Sequence, residues 1–133
     1  PFIENYFGIS IPHAHLDLRY ILYSLGYSGG LKSCERQLGI GRTGGLADVD
    51  GFFAVLLWND YKKTGNEKSL ETLLSYNIED AVNLEYLMVE AYNRKLKNVP
   101  LSLNTMEIPR LPENPFEVDA DSVNKIKARY YYW

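Results

Sequence analysis

Leu70-Glu71-Thr72-Leu73-Leu74-Ser75-Tyr76-Asn77-Ile78-Glu79-Asp80-Ala81-Val82-Asn83-Leu84 sits inside the longest helical pattern of the chain, about residues 67 to 96. Advancing about 100° per residue from Tyr76, the side chains of Leu87, Leu73, Ala91, Leu84, Leu70, Met88 and Ala81 fall in one arc of about 140°. That arc predicts the buried stripe. Glu71, Glu79, Glu85 and Glu90 fall outside it and read as solvated charges. Asp80 falls inside it, one turn after Tyr76, so the two share a face. A carboxylate within an apolar stripe is costly unless it is paired, hydrogen-bonded or bound to a cation. Periodicity alone leaves a structural Tyr–Asp contact and a functional site both open.

Outward from this helix, the sequence is punctuated by caps and glycines. Asn66 caps it, and Gly65 stops a preceding helix that carries Phe52, Phe53, Leu56, Leu57 and Tyr61. Asp48 or Asp50 opens that helix. Gly39 to Gly51 holds five glycines and reads as a loop. Upstream lie a short helix over residues 31–38, a turn at 27–30, and a helix that Asp17 caps and Gly26 closes. Residues 9–16 alternate loosely around Pro12 and predict one short edge strand. Pro1 to Phe7 reads as a helical turn or two. Downstream, residues 98–115 contain four prolines and predict an extended linker, followed by a short helix near 120–131. Five or six helices against one or two strands predict a mostly α chain. It is either a small helical domain or the helical portion of an α/β fold.

The composition narrows the function. The chain has 133 residues, 46% hydrophobic and 23% charged, which is ordinary for one globular domain. No run approaches the length of a membrane span. The net charge of −3 argues against a broad basic surface wrapped on duplex nucleic acid. It leaves room for a small cleft where bound cations supply positive charge. Cys34, the single cysteine, cannot form an internal disulfide, which points to a reducing, cytoplasmic setting.

Two other constellations carry less. Gly39-x-Gly41-x-x-Gly44 matches a dinucleotide-binding string but follows a polar helix rather than a strand, so it reads as a loop. His13-x-His15-x-Asp17 has the spacing of metal ligands on a strand. No histidine follows His15, so the plainer reading is a helix capped by Asp17.

Tyr76-x-x-x-Asp80, within Leu73-Leu74-x-Tyr76-Asn77-x-x-Asp80-x-x-x-Leu84, resembles the third motif of DEDDy-branch, DnaQ-like 3′–5′ exonucleases of RNase H fold. The surrounding chain is most similar to the YprB-type predicted RNase H-like exonucleases. The similarity includes His15-Leu16-Asp17-Leu18, Leu38-Gly39-Ile40 and Asp50-Gly51 before Trp58 and Tyr61, and runs from Pro1 to about Asn93. The resemblance implies four acidic residues holding two divalent metals, Mg²⁺ or Mn²⁺, which hydrolyse the 3′ end of single-stranded DNA or RNA. Asp80 would be the last of the four carboxylates and a metal ligand; Tyr76 would orient the attacking water.

The family's Asp-x-Glu and Asn-Gly-x-x-Phe-Asp motifs do not occur in the chain, and Asp17 does not replace them. The expectation is therefore the helical C-terminal portion of an α/β RNase H-like fold without its N-terminal sheet strands. Residues 1–97 would form the partial exonuclease domain, and 98–133 a proline-rich linker and short helix. Alone the chain would be inactive, and its uncovered sheet-facing surface would favour self-association. The alternative is a non-catalytic helical interaction module that uses Tyr130-Tyr131-Tyr132-Trp133 for contacts.

Overall fold

The computed structural model describes residues 2–41 and 49–130. Among these residues six helices follow in order: α1 (Phe2–Phe7), α2 (Leu18–Tyr23), α3 (Leu31–Gln37), α4 (Gly51–Thr64), α5 (Glu67–Leu96) and α6 (Ala120–Tyr130). Among the described residues there is no strand, so the chain is mostly α.

The strand expected at residues 9–16 is irregular instead. A strand needs a neighbour for its N–H and C=O groups, and among the described residues none pairs with this segment. Asp17 nevertheless caps α2, accepting from Arg19 N at 3.0 Å. That helix ends at Tyr23, two residues short of the expected Leu25, and Gly26 follows at φ +91°.

α4 and α5 form an antiparallel hairpin joined by only Gly65 and Asn66. Gly65 takes the left-handed conformation (φ +71°) that a glycine adopts without a Cβ penalty. Asp50 caps α4 by accepting from Phe53 N at 2.7 Å. Asp48, the other candidate cap, lies outside the described residues. Asn66 caps α5 through Lys68 N, and its amide also reaches Asp60, Ser69 and Ser122.

Two apolar clusters hold the helices. One joins Val49, Phe53, Leu56 and Leu57 to Tyr76 of α5 and to Val123 and Ile126 of α6. The other joins Leu22, Cys34 and Ile40 to Leu87 and Ala91.

The proline-rich segment is a docked strap. Asn93 exchanges two 2.8 Å hydrogen bonds with the Met106 backbone. The Asn114 amide donates to Ser75, and Asp119 N donates to the Thr72 hydroxyl at 3.0 Å. The strap at Thr72 and Ser75, Asp60 at Ser69 and Glu35 at Asn83 change the face that α5 buries. Ser69, Thr72, Ser75, Glu79 and Asn83 are all buried, while Leu84 is 45% exposed and Ala81 is exposed. The expected stripe is thus rotated toward the small polar residues, and Glu79, expected in solvent, is 7% exposed.

Candidate functional site

Thirty residues of uninterrupted helix fix the middle of α5 as a rigid rod. Tyr76 and Asp80 lie one turn apart on it. Helical side chains lean toward the N-terminus, so Asp80 leans over Tyr76. Tyr76 is buried, with its ring in the α4–α6 cluster. Asp80 is half-buried, and its Oδ1 is shielded from solvent.

The short helix α3 crosses this part of α5. Gly29 and Gly30, both at positive φ, turn the chain into α3, and Gln37 ties that turn down by donating to Ser28 O at 2.8 Å. α3 then presents two polar side chains to α5. Lys32 Nζ lies 4.8 Å from the centroid of the Tyr76 ring, a cation–π distance. Glu35, 1% exposed, accepts from Asn83 Nδ2 at 3.0 Å. Cys34 lies between them, buried. Burial first, and the Glu35 charge second, push its thiol above the ordinary cysteine range, so it is not primed as a nucleophile.

Lys32, Glu35, Glu79 and Asn83 were not singled out by sequence reasoning. Asn83 had a usable signal. It stands seven residues after Tyr76, two turns along the same face. Lys32 and Glu35 had none, because their partners lie more than forty residues away.

The other sequence candidates do not converge. His13 and His15 are both exposed, and His15 Nε2 lies 3.4 Å from Ile11 O. Asp17 is spent on its cap. Gly39 ends α3 at φ +77°. Gly44 and the aromatic residues 131–133 lie outside the described residues. Among the described residues, no three His, Cys, Asp or Glu side chains meet in a group able to hold a metal ion. Asp80 alone therefore does not fit a two-metal centre.

Across residues 1–92 the chain matches the RNase_H_2 family of the RNase H superfamily. It belongs to the RNase H superfamily. No curated protein and no solved structure matches it significantly. The matched span takes in α1 to α4 and most of α5, including Tyr76 and Asp80; the strap and α6 lie beyond it. Membership places the chain among nuclease-like hydrolase domains, and nucleases of this superfamily generally act with divalent metals. Among the described residues, no helix is long and apolar enough to cross a membrane.

Proposed function

We propose that residues 1–97 belong to a DEDDy-type, DnaQ-like 3′–5′ exonuclease of the YprB kind, working on single-stranded DNA or RNA in the cytoplasm. The observation that carries this reading is the pairing of Tyr76 and Asp80 on one turn of α5, within the superfamily match, with the Asp80 carboxylate half-buried. In the complete site Asp80 would be one carboxylate ligand of Mg²⁺ or Mn²⁺, and Tyr76 the phenol facing the reacting phosphate. The described residues do not complete such a centre, so the 133-residue chain is inactive by itself.

Nucleotide release from labelled single-stranded DNA and RNA with Mn²⁺ tests both parts. The chain alone should release nothing; turnover that Asp80→Asn abolishes would overturn its inactivity. A protein in which residues 1–133 follow Asp-x-Glu and Asn-Gly-x-x-Phe-Asp motifs should be active and lose at least 100-fold with Asp80→Asn, as expected when a metal ligand goes. Unchanged activity in that variant would overturn the exonuclease reading.

The chain also has an apolar groove of about 1360 Å³ between α2, α3 and α5, lined by Leu18, Leu22, Tyr23, Leu31, Leu84 and Met88. Its rim carries Arg19 and Glu85, charges of opposite sign. A two-fold pair can match such a rim with itself, so the occupant we propose is a second copy of the chain.

A further inference from the structure

A tyrosine that faces a reacting phosphate must be open to the strand, yet Tyr76 is only 7% exposed. Its ring shares one apolar cluster with Phe53, Leu56 and Leu57 of α4 and with Val123 and Ile126 of α6. The two helices differ in standing. α4 lies within the superfamily match, which ends at residue 92, whereas α6 is an addition beyond it. They also differ in how they are held. α4 reaches α5 through two residues and cannot swing away. α6 hangs on the proline-containing stretch 97–119, where residues 101–108 are all exposed.

The ties that dock α6 are few and separable. Among the described residues it adds Val123 and Ile126 to the cluster, beside the partly buried Val118. The Asn114 amide donates to Ser75 at 2.9 Å, Asp119 N to the Thr72 hydroxyl at 3.0 Å, and the Asn66 amide to Ser122 at 3.0 Å. Arg129 lies 3.8 Å from Asp60 and is mostly exposed, so that pair adds little. Each hydrogen bond lost shifts an opening equilibrium by roughly fivefold. The Asn93 bonds to Met106 would keep the strap tethered with α6 undocked.

We propose that α6 is an autoinhibitory cover: docked, it closes the Tyr76 face of α5, and it must undock for Tyr76 to meet a nucleic-acid 3′ end. The inference rests on the nuclease reading of Tyr76 and adds a regulatory contact to it.

The first test is nitration of the 133-residue chain with tetranitromethane, read at Tyr76 by mass spectrometry. Wild-type Tyr76 should be protected while the exposed Tyr20 and Tyr23 react. Ile126→Asp should open the cover from its apolar side. The double variant Asn114→Ala, Asp119→Ala loosens it and leaves the cluster intact. Both should raise Tyr76 nitration roughly five- to tenfold. Hydrogen exchange should show protection lost in α6 and kept in α4 and α5, which separates undocking from unfolding. If Ile126→Asp exposes α4 and α5 as well, the double variant decides.

The same changes then go into the protein that carries the upstream Asp-x-Glu and Asn-Gly-x-x-Phe-Asp motifs. kcat/KM for single strands should rise roughly three- to tenfold, as the competent fraction grows. Unchanged kcat/KM with Tyr76 freely nitrated would overturn the cover and leave the exonuclease reading standing. Tyr76 that stays protected while α6 amides exchange freely would overturn it too, by showing that α6 is not what shields the ring. No activity in that protein, with the cover docked or opened, would overturn the nuclease reading and this inference with it.

Discussion

Asn83 of α5 donates a 3.0 Å hydrogen bond to Glu35 of α3, and both side chains are at least 98% buried. The two residues are 48 apart in sequence. An acid placed this deep is tolerated because a side-chain amide meets it. The contact locks α3 in the register that brings Lys32 to Tyr76.

Removing the amide leaves Glu35 Oε1 without that donor in a buried site. Asn83→Ala is expected to lower stability by about 1–3 kcal/mol in urea denaturation. Asn83→Asp replaces the amide donor with a second carboxyl group against Glu35 and should be worse. A change within about 0.5 kcal/mol for both variants would show the pair to be dispensable.

Gly65 sits at φ +71° with nothing within 4 Å of where a Cβ would stand. Any cost of Gly65→Ala is therefore conformational and should be about 1–2 kcal/mol. Gly65→Asn should cost less, since asparagine tolerates this region. Thermal melts of the two variants should fall in that order.

Asn66 does more than cap α5. Its amide binds Asp60, Ser69 and Ser122, joining α4, α5 and α6 at one point. Asn66→Ala should cost more than the roughly 1 kcal/mol of an ordinary cap. Asn66→Asp keeps the cap but sets a carboxylate against Asp60 where the amide donated, so it should cost at least as much as Asn66→Ala. A loss smaller than that of Asn66→Ala would show the cap to outweigh the amide's contacts.

The Asp119 carboxylate is held below the ordinary aspartate range, chiefly by the Ser122 side chain and then by Ser122 N at 2.8 Å. A depressed folded-state value means the stabilisation is present above the unfolded-state value and is lost as pH falls through the folded one. Docking of α6 should therefore weaken on acidification below the ordinary aspartate range. Circular dichroism from pH 6 to 2 should show this, and Asp119→Ala should flatten that part of the curve.

Self-association through the α2–α5 groove predicts a mass, by light scattering, that rises with concentration. Leu84, 45% exposed on its wall, is the residue to change. Leu84→Glu should return the chain to a monomer without loss of helicity. A wild-type chain that stays monomeric throughout would remove the proposed pairing.

Local signals made most helix starts legible in the sequence, though α2 stops two residues before the end that Gly26 suggested. Asp17, Asp50 and Asn66 mark their caps, and α5 runs over the expected residues 67–96. What failed depended on partners remote in sequence. The edge strand at residues 9–16 has no partner among the described residues. The buried face of α5 turned toward Thr72 and Ser75 because the strap, more than thirty residues on, satisfies their hydroxyls and backbone. Glu79 looked solvated because periodicity cannot see what packs against a face. The pairing of Tyr76 with Asp80 was legible from i, i+4 spacing; Lys32, reaching across from α3, was not.

The two-residue joint at Gly65–Asn66 also sets an order in time. Contacts between α4 and α5 close short loops and can form within the first events of collapse. The strap's first tie, Asn93 to Met106, spans only 13 residues, whereas its hold on Ser75 spans 39, the α3–α5 bond from Glu35 to Asn83 spans 48 and the α6 bond from Asn66 to Ser122 spans 56. By loop-closure entropy the hairpin bearing Tyr76 is expected to form before α3 and α6 are fastened to it.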